Sequence, residues 1–81
     1  MIDSLTSLLR RRELTAKELK RVLEQFGWKQ RYSPKNQPHY FKEGVAEYIV
    51  VDERYGENTI QKLEKWKKYI KRIKEHSNEE N

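Results

Sequence analysis

Thr15-Ala16-Lys17-Glu18 encodes the start of a helix with both halves of a reciprocal cap. The Thr15 hydroxyl accepts from the Glu18 amide, and the Glu18 carboxylate reaches back to the Thr15 amide. Two of the donors that a helix start leaves unpaired are thereby satisfied. Leu14 and Leu19 stand at the positions of a hydrophobic staple, which sets the angle at which the chain joins the helix. Leu19, Val22, Leu23 and Phe26 then follow the i, i+3, i+4, i+7 spacing of one buried face. Gly27 falls where a left-handed C-terminal residue is wanted. The helix is bounded on both sides, from Ala16 to Phe26, and the rest of the chain must arrange itself around it.

Upstream, Ile2 to Arg12 reads as a short additional helix with Ile2, Leu5, Leu8 and Leu9 in one stripe. Arg10-Arg11-Arg12 comes at its C-terminal end, where cations favour the helix dipole. Downstream, Trp28 to Tyr32 alternates with period two, so a strand is expected with Trp28, Gln30 and Tyr32 on one face and Lys29 and Arg31 on the other. Ser33-Pro34-Lys35-Asn36 is a turn, with Pro34 at the position that prefers its fixed φ. Pro38 opens a short strand, His39 to Lys42, because proline cannot donate to a ladder. Glu43-Gly44 turns the chain again. Ala46 to Asp52, with its Tyr48-Ile49-Val50-Val51 run, is the best strand by composition. Asn58 and Gln61 have the spacing of a second capping box, and Ile60, Leu63, Trp66, Ile70 and Ile73 continue as a helical stripe with Tyr69 widening it. The other side of that helix is basic. Residues 75–81 are expected to fray.

These elements make one α+β domain of 81 residues: a three-stranded antiparallel sheet packed on two helices, α-β-β-β-α over 14–74, with the extra helix at 1–12. With 35% apolar and 38% charged residues, the core must be thin. There is no cysteine, which excludes disulfides and thiolate zinc sites. Two histidines without His-Glu-x-x-His spacing offer no protein metal site, and no Gly-rich loop cradles a phosphate cofactor, so neither metal nor cofactor is expected. No apolar run spans a membrane, and no signal-peptide pattern opens the chain, which points to the cytoplasm.

The net charge of +5 is unevenly spread. Residues 1–42 carry ten Lys/Arg against four acids, residues 43–58 one arginine against five acids, and residues 59–74 seven Lys/Arg against one acid. Two basic blocks around an acidic one suit a polyanion-binding face. Placing the capped helix and the basic helix side by side would make a surface that tracks phosphates, with Lys65, Lys68 and Arg72 on it.

A helix ending in Gly27-Trp28, a strand, a turn, a strand beginning at His39-Tyr40-Phe41-Lys42, a third strand and a closing helix together resemble the HicA toxin family. The resemblance runs from Leu14 to Ile73 and includes Leu14-Thr15-Ala16-Lys17-Glu18-Leu19 as the opening. Asn36-Gln37-Pro38 stands where the family has a small pair such as Gly-Ser. The resemblance implies a minimal double-stranded-RNA-binding-domain fold, ribonuclease activity on messenger RNA, His39 as the catalytic residue, and an antitoxin protein as partner. The residues themselves allow that chemistry. RNA cleavage needs a base for the 2′-hydroxyl proton, an acid for the leaving oxygen and cations around the phosphorane. His39 can be the base or acid, Lys29, Lys35 or Lys42 can supply charge with Arg31 beside them, and Tyr40 can stack a base. Two non-catalytic readings stand beside it. One is a nucleic-acid-binding module, either dsRBD-like or a winged helix built from Leu5 to Phe26. The other is a small inhibitor or adaptor whose acidic residues 43–58 bind a basic partner.

Overall fold

The computed structural model describes residues 5–77. Three helices, α1 (Leu5–Leu8), α2 (Ala16–Gln25) and α3 (Leu63–Glu75), accompany three strands, β1 (Lys29–Tyr32), β2 (His39–Phe41) and β3 (Ile49–Val50). The strands form one antiparallel sheet in the order β1-β2-β3. The fold is α+β, in the expected α-β-β-β-α order with an N-terminal helix.

The core forms as the apolar stripes require. Leu19, Val22 and Leu23 of α2 and Trp66, Ile70 and Ile73 of α3 join Trp28, Tyr40, Ile49 and Val51 in one cluster. Leu5 and Leu8 of α1 complete it, and Lys74 Nζ donates to Thr6 Oγ1 alongside. The two indole N–H groups of Trp28 and Trp66 are buried without a partner among the described residues. Each such group costs stability, about 1–3 kcal/mol.

α2 begins as its capping box requires. Thr15 N donates to Glu18 Oε1 at 3.0 Å, and Glu18 N donates to Thr15 Oγ1 at 3.2 Å. Arg11 adds a third contact, its guanidinium 2.8 Å from Glu18 Oε2. Burial pushes the Glu18 carboxyl up, but the Thr15 amide and Arg11 outweigh it and leave the group below its ordinary range. At the other end, Gly27 takes φ +89°.

Several elements differ from the sequence expectation. α1 ends at Leu8, and Arg10 and Arg11 donate backbone bonds to Ser7 and Leu8 in a closing turn, so the arginines follow the helix rather than belong to it. The expected Ile2 contact lies outside the described residues. The first hairpin turn is Pro34-Lys35-Asn36-Gln37, closed by Gln37 N donating to Pro34 O. Asn36 there takes φ +65°, a conformation asparagine tolerates. Pro34 thus precedes the turn's central pair instead of occupying it. β3 is two residues long and shorter than the expected 46–52, with Ile49 and Val50 paired to Tyr40 and His39. Val51 N extends the pairing by donating to Pro38 O.

The largest departure is the start of α3. Asn58 sits in a 3₁₀ turn and does not cap it; the helix starts at Leu63 without a side-chain cap. Residues 59–61 instead lie extended against 14–16, with Ala16 N donating to Thr59 O and Gln61 N to Leu14 O. Ile60 therefore lies half exposed, outside the helical stripe. Buried Gln61 uses its side chain to hold Asp52 N, Asp52 O and Thr59 O.

Candidate nucleic-acid interface

Strand alternation divides the sheet into two chemically different faces. Tyr40 pairs with Ile49 and both are buried on the helix side. His39 and Phe41 flank Tyr40 in sequence and so point the other way, where they are half-buried. A β-bulge decides what joins them. Lys29 pairs with Phe41 and Gln30 with Tyr40, but Tyr32 pairs with His39, leaving Arg31 as the extra residue. The expected grouping of Tyr32 with Trp28 and Gln30 is overturned: the bulge returns Tyr32 to the face of His39.

The result is an aromatic and basic surface. The His39 ring meets Tyr32 at 5.4 Å and Tyr48 at 6.0 Å, both edge-on. Phe41 lies 6.4 Å from Tyr48, and the Arg31 guanidinium sits 5.3 Å over Phe41. Tyr32 and Tyr48 remain 62% and 40% exposed, so ring area is available to a ligand.

His39 is oriented by its own turn. Its Nδ1 lies 2.7 Å from the carbonyl oxygen of Gln37. A carbonyl can only accept, so Nδ1 carries the proton and neutral His39 keeps Nε2 as a base. Nε2 has no hydrogen-bond partner among the described residues.

Two hollows lie near this surface, and His39 lines neither of them. One is lined by Lys29, Arg31, Phe41, Val45 and Tyr48. The other lies between β3 and α3 and includes Gln37, Val50, Asp52, Lys65 and Tyr69. Val50 is the cross-strand partner of His39. Asp52 is the acid in this second hollow, and Arg54 offsets it at 3.0 Å, holding its carboxyl below the usual range despite some burial.

The remaining expected site residues separate. Lys29 and Arg31 lie on the His39 face, and Lys35 is exposed in the turn before it. Tyr40 is corrected outright as a stacking residue: it is 1% exposed, its hydroxyl points to Glu24 at 3.4 Å, and burial with that carboxylate pushes its pKa up to about 12. Lys42 is also drawn inward, donating to the carbonyls of Phe26 and His76. Arg72 is tied to the outer edge of β3 by an ion pair with Glu47 at 2.8 Å and a bond to Tyr48 O at 3.3 Å. Lys65 and Lys68 are exposed on α3. Tyr32, Phe41 and Tyr48 were missed as surface residues. Phe41 was within reach of sequence reasoning, since it stands two positions after His39 in the same strand.

After α2 the chain passes directly into the sheet, so the third helix comes after the strands and not before them as in a winged helix. No group of three or more His, Cys, Asp or Glu is placed to hold a metal among the described residues, and no helix there is long and apolar enough to cross a membrane. Against known proteins, the chain matches no family model, no curated protein and no solved structure.

Proposed function

We propose that this protein binds RNA on the open face of its sheet and cleaves messenger RNA there in the manner of the HicA toxins, with His39 as the acid-base residue. One observation carries the reading: His39 is held by the Gln37 carbonyl so that a free Nε2 remains on a surface of tyrosines and cations. A positioned imidazole with one nitrogen tied and the other open is what proton abstraction needs. Nε2 takes the proton of the 2′-hydroxyl, and the 2′-oxygen attacks the adjacent phosphorus. The bond to the 5′-oxygen breaks, that oxygen takes a proton from water, and the hydroxide left behind takes back the proton held on Nε2. The products are a 2′,3′-cyclic phosphate and a 5′-hydroxyl. Lys29 and Arg31 attract the backbone and stabilise the charge that builds on the phosphorane. Such a protein acts in the cytoplasm and has an antitoxin as its protein partner.

Incubating the protein with messenger RNA in EDTA, as wild type and as His39→Ala, tests the assignment. Cleavage by wild type and none by His39→Ala, with RNA binding retained, is the expected result. Equal cleavage by both proteins sinks the role of His39. Binding without cleavage by wild type leaves a dsRBD-like binding module. Absence of RNA binding favours the adaptor reading, in which the acidic residues 43–58 meet a basic partner.

A further inference from the structure

The hollow between β3 and α3 lies across Val50 from His39, which does not itself line it, and proton transfer at His39 makes no use of it. Gln37 and Val50 line it, and they are the hydrogen-bond partner and the cross-strand partner of His39. Lys65 and Tyr69 close the α3 side, and Asp52, its one acid, is neutralised by Arg54. Tyr48, two positions before Val50, meets the His39 ring at 6.0 Å and lines the other hollow with Arg31 and Phe41. Each hollow thus carries a cation and an aromatic ring, Lys65 with Tyr69 in one and Arg31 with Phe41 in the other.

We propose that the β3–α3 hollow is a subsite for one unpaired RNA base beside the scissile phosphate, with the neighbouring nucleotide lying over Tyr48 and Tyr32. This deepens the reading of His39 as a ribonuclease residue and rests on it for the identity of the scissile phosphate. The base enters between Val50 and Tyr69, Gln37 faces it with an amide that can both donate and accept, and Lys65 neutralises the attached phosphate. Exposed tyrosines on a sheet offer the stacking that unpaired bases seek.

Geometry sets the class of substrate. A base in an A-form helix cannot reach a hollow in the protein without leaving its stack, which costs a few kcal/mol. In-line attack by a 2′-oxygen also requires a backbone that can leave the A-form arrangement. The subsite therefore selects single-stranded segments.

The test uses a short fluorescent single-stranded RNA, the same strand in a duplex, and the full chain as wild type, Lys65→Glu and Val50→Trp. Lys65 is exposed, so its replacement leaves the fold intact; Val50→Trp fills the hollow, and circular dichroism checks that it folds. Wild type is expected to bind the single strand at least about tenfold more tightly than the duplex, and each variant to lose about tenfold of that affinity. Equal affinity for strand and duplex, or wild-type binding by both folded variants, overturns the subsite. Cleavage that needs His39 but ignores both variants removes the subsite and keeps the enzyme. Hollow-dependent binding of the single strand without cleavage keeps the subsite as a binding site and removes the enzyme. Failure to bind either RNA ends both.

Discussion

The Lys42 ammonium lies 2.9 Å from the carbonyl oxygen of Phe26, the C-cap of α2. It also reaches the carbonyl of His76, the C-cap of α3, at 3.1 Å. One cation thus serves the negative ends of two helix dipoles and satisfies two of their unpaired acceptors. Lys42→Met should lower stability by about 1–2 kcal/mol, less than two fully buried charged bonds because the group is only half-buried. Thermal unfolding checks this. The salt dependence of RNA binding should stay at the wild-type slope, since this ammonium is not spent on phosphate; a reduced slope would return Lys42 to the binding surface.

The start of α2 should be acid-sensitive. The folded Glu18 carboxyl lies below its ordinary value of 4.5, so its contribution is full above the unfolded pKa and is lost as pH falls through the folded one. Melting temperature should decline below about pH 4.5 in wild type, and less steeply in Glu18→Gln. Thr15→Ala should cost about 0.5–2 kcal/mol at neutral pH. An unchanged transition in that variant would remove the cap from the stability of the domain.

Tyr40 predicts the opposite limb. Its phenol is raised from 10.0 to about 12 by burial and by Glu24, so the folded state holds a proton that the unfolded state has released. The contribution is full below pH 10 and disappears as pH rises towards 12. Tyr40→Phe should flatten the alkaline part of the stability curve. Parallel alkaline melts of the two proteins would rule this out if they lost stability equally.

The three α3 cations should behave differently from one another. Lys65→Gln and Lys68→Gln should each reduce the log-log salt slope of RNA binding by about 0.7 wherever they meet phosphate. Arg72→Gln should instead lower the melting temperature, because Arg72 holds Glu47 and the Tyr48 carbonyl. Equal slope changes for all three would mean that the Arg72 contacts open on binding.

Much of the fold was legible from residues close in sequence. The capping box, staple and left-handed Gly27 of α2 are local patterns, and each has its expected counterpart. The strand order followed from short turns that leave the chain no alternative but a meander. The start of α3 was not legible, because the Asn58–Gln61 spacing is equally consistent with a cap and with an extended segment. Bonds from residues 14–16, more than forty positions upstream, decide it.

What the sequence alone determined is therefore the set of elements, their order and the apolar faces of α2 and of α3 from Trp66 onward, all of which depend on periodicities of a few residues; Ile60 and Leu63, expected in that stripe, are exposed. The tertiary structure decided which groups remain free to act. Tyr40 and Lys42 share the basic, aromatic stretch with His39, yet pairing with Ile49 buries one and two helix ends capture the other. Tyr32 reaches the His39 face through a bulge that alternation cannot reveal. The physical reason is that a side chain's face follows from pairing register, and a cation's availability from the nearest unpaired acceptor. Both are set by residues distant in the chain.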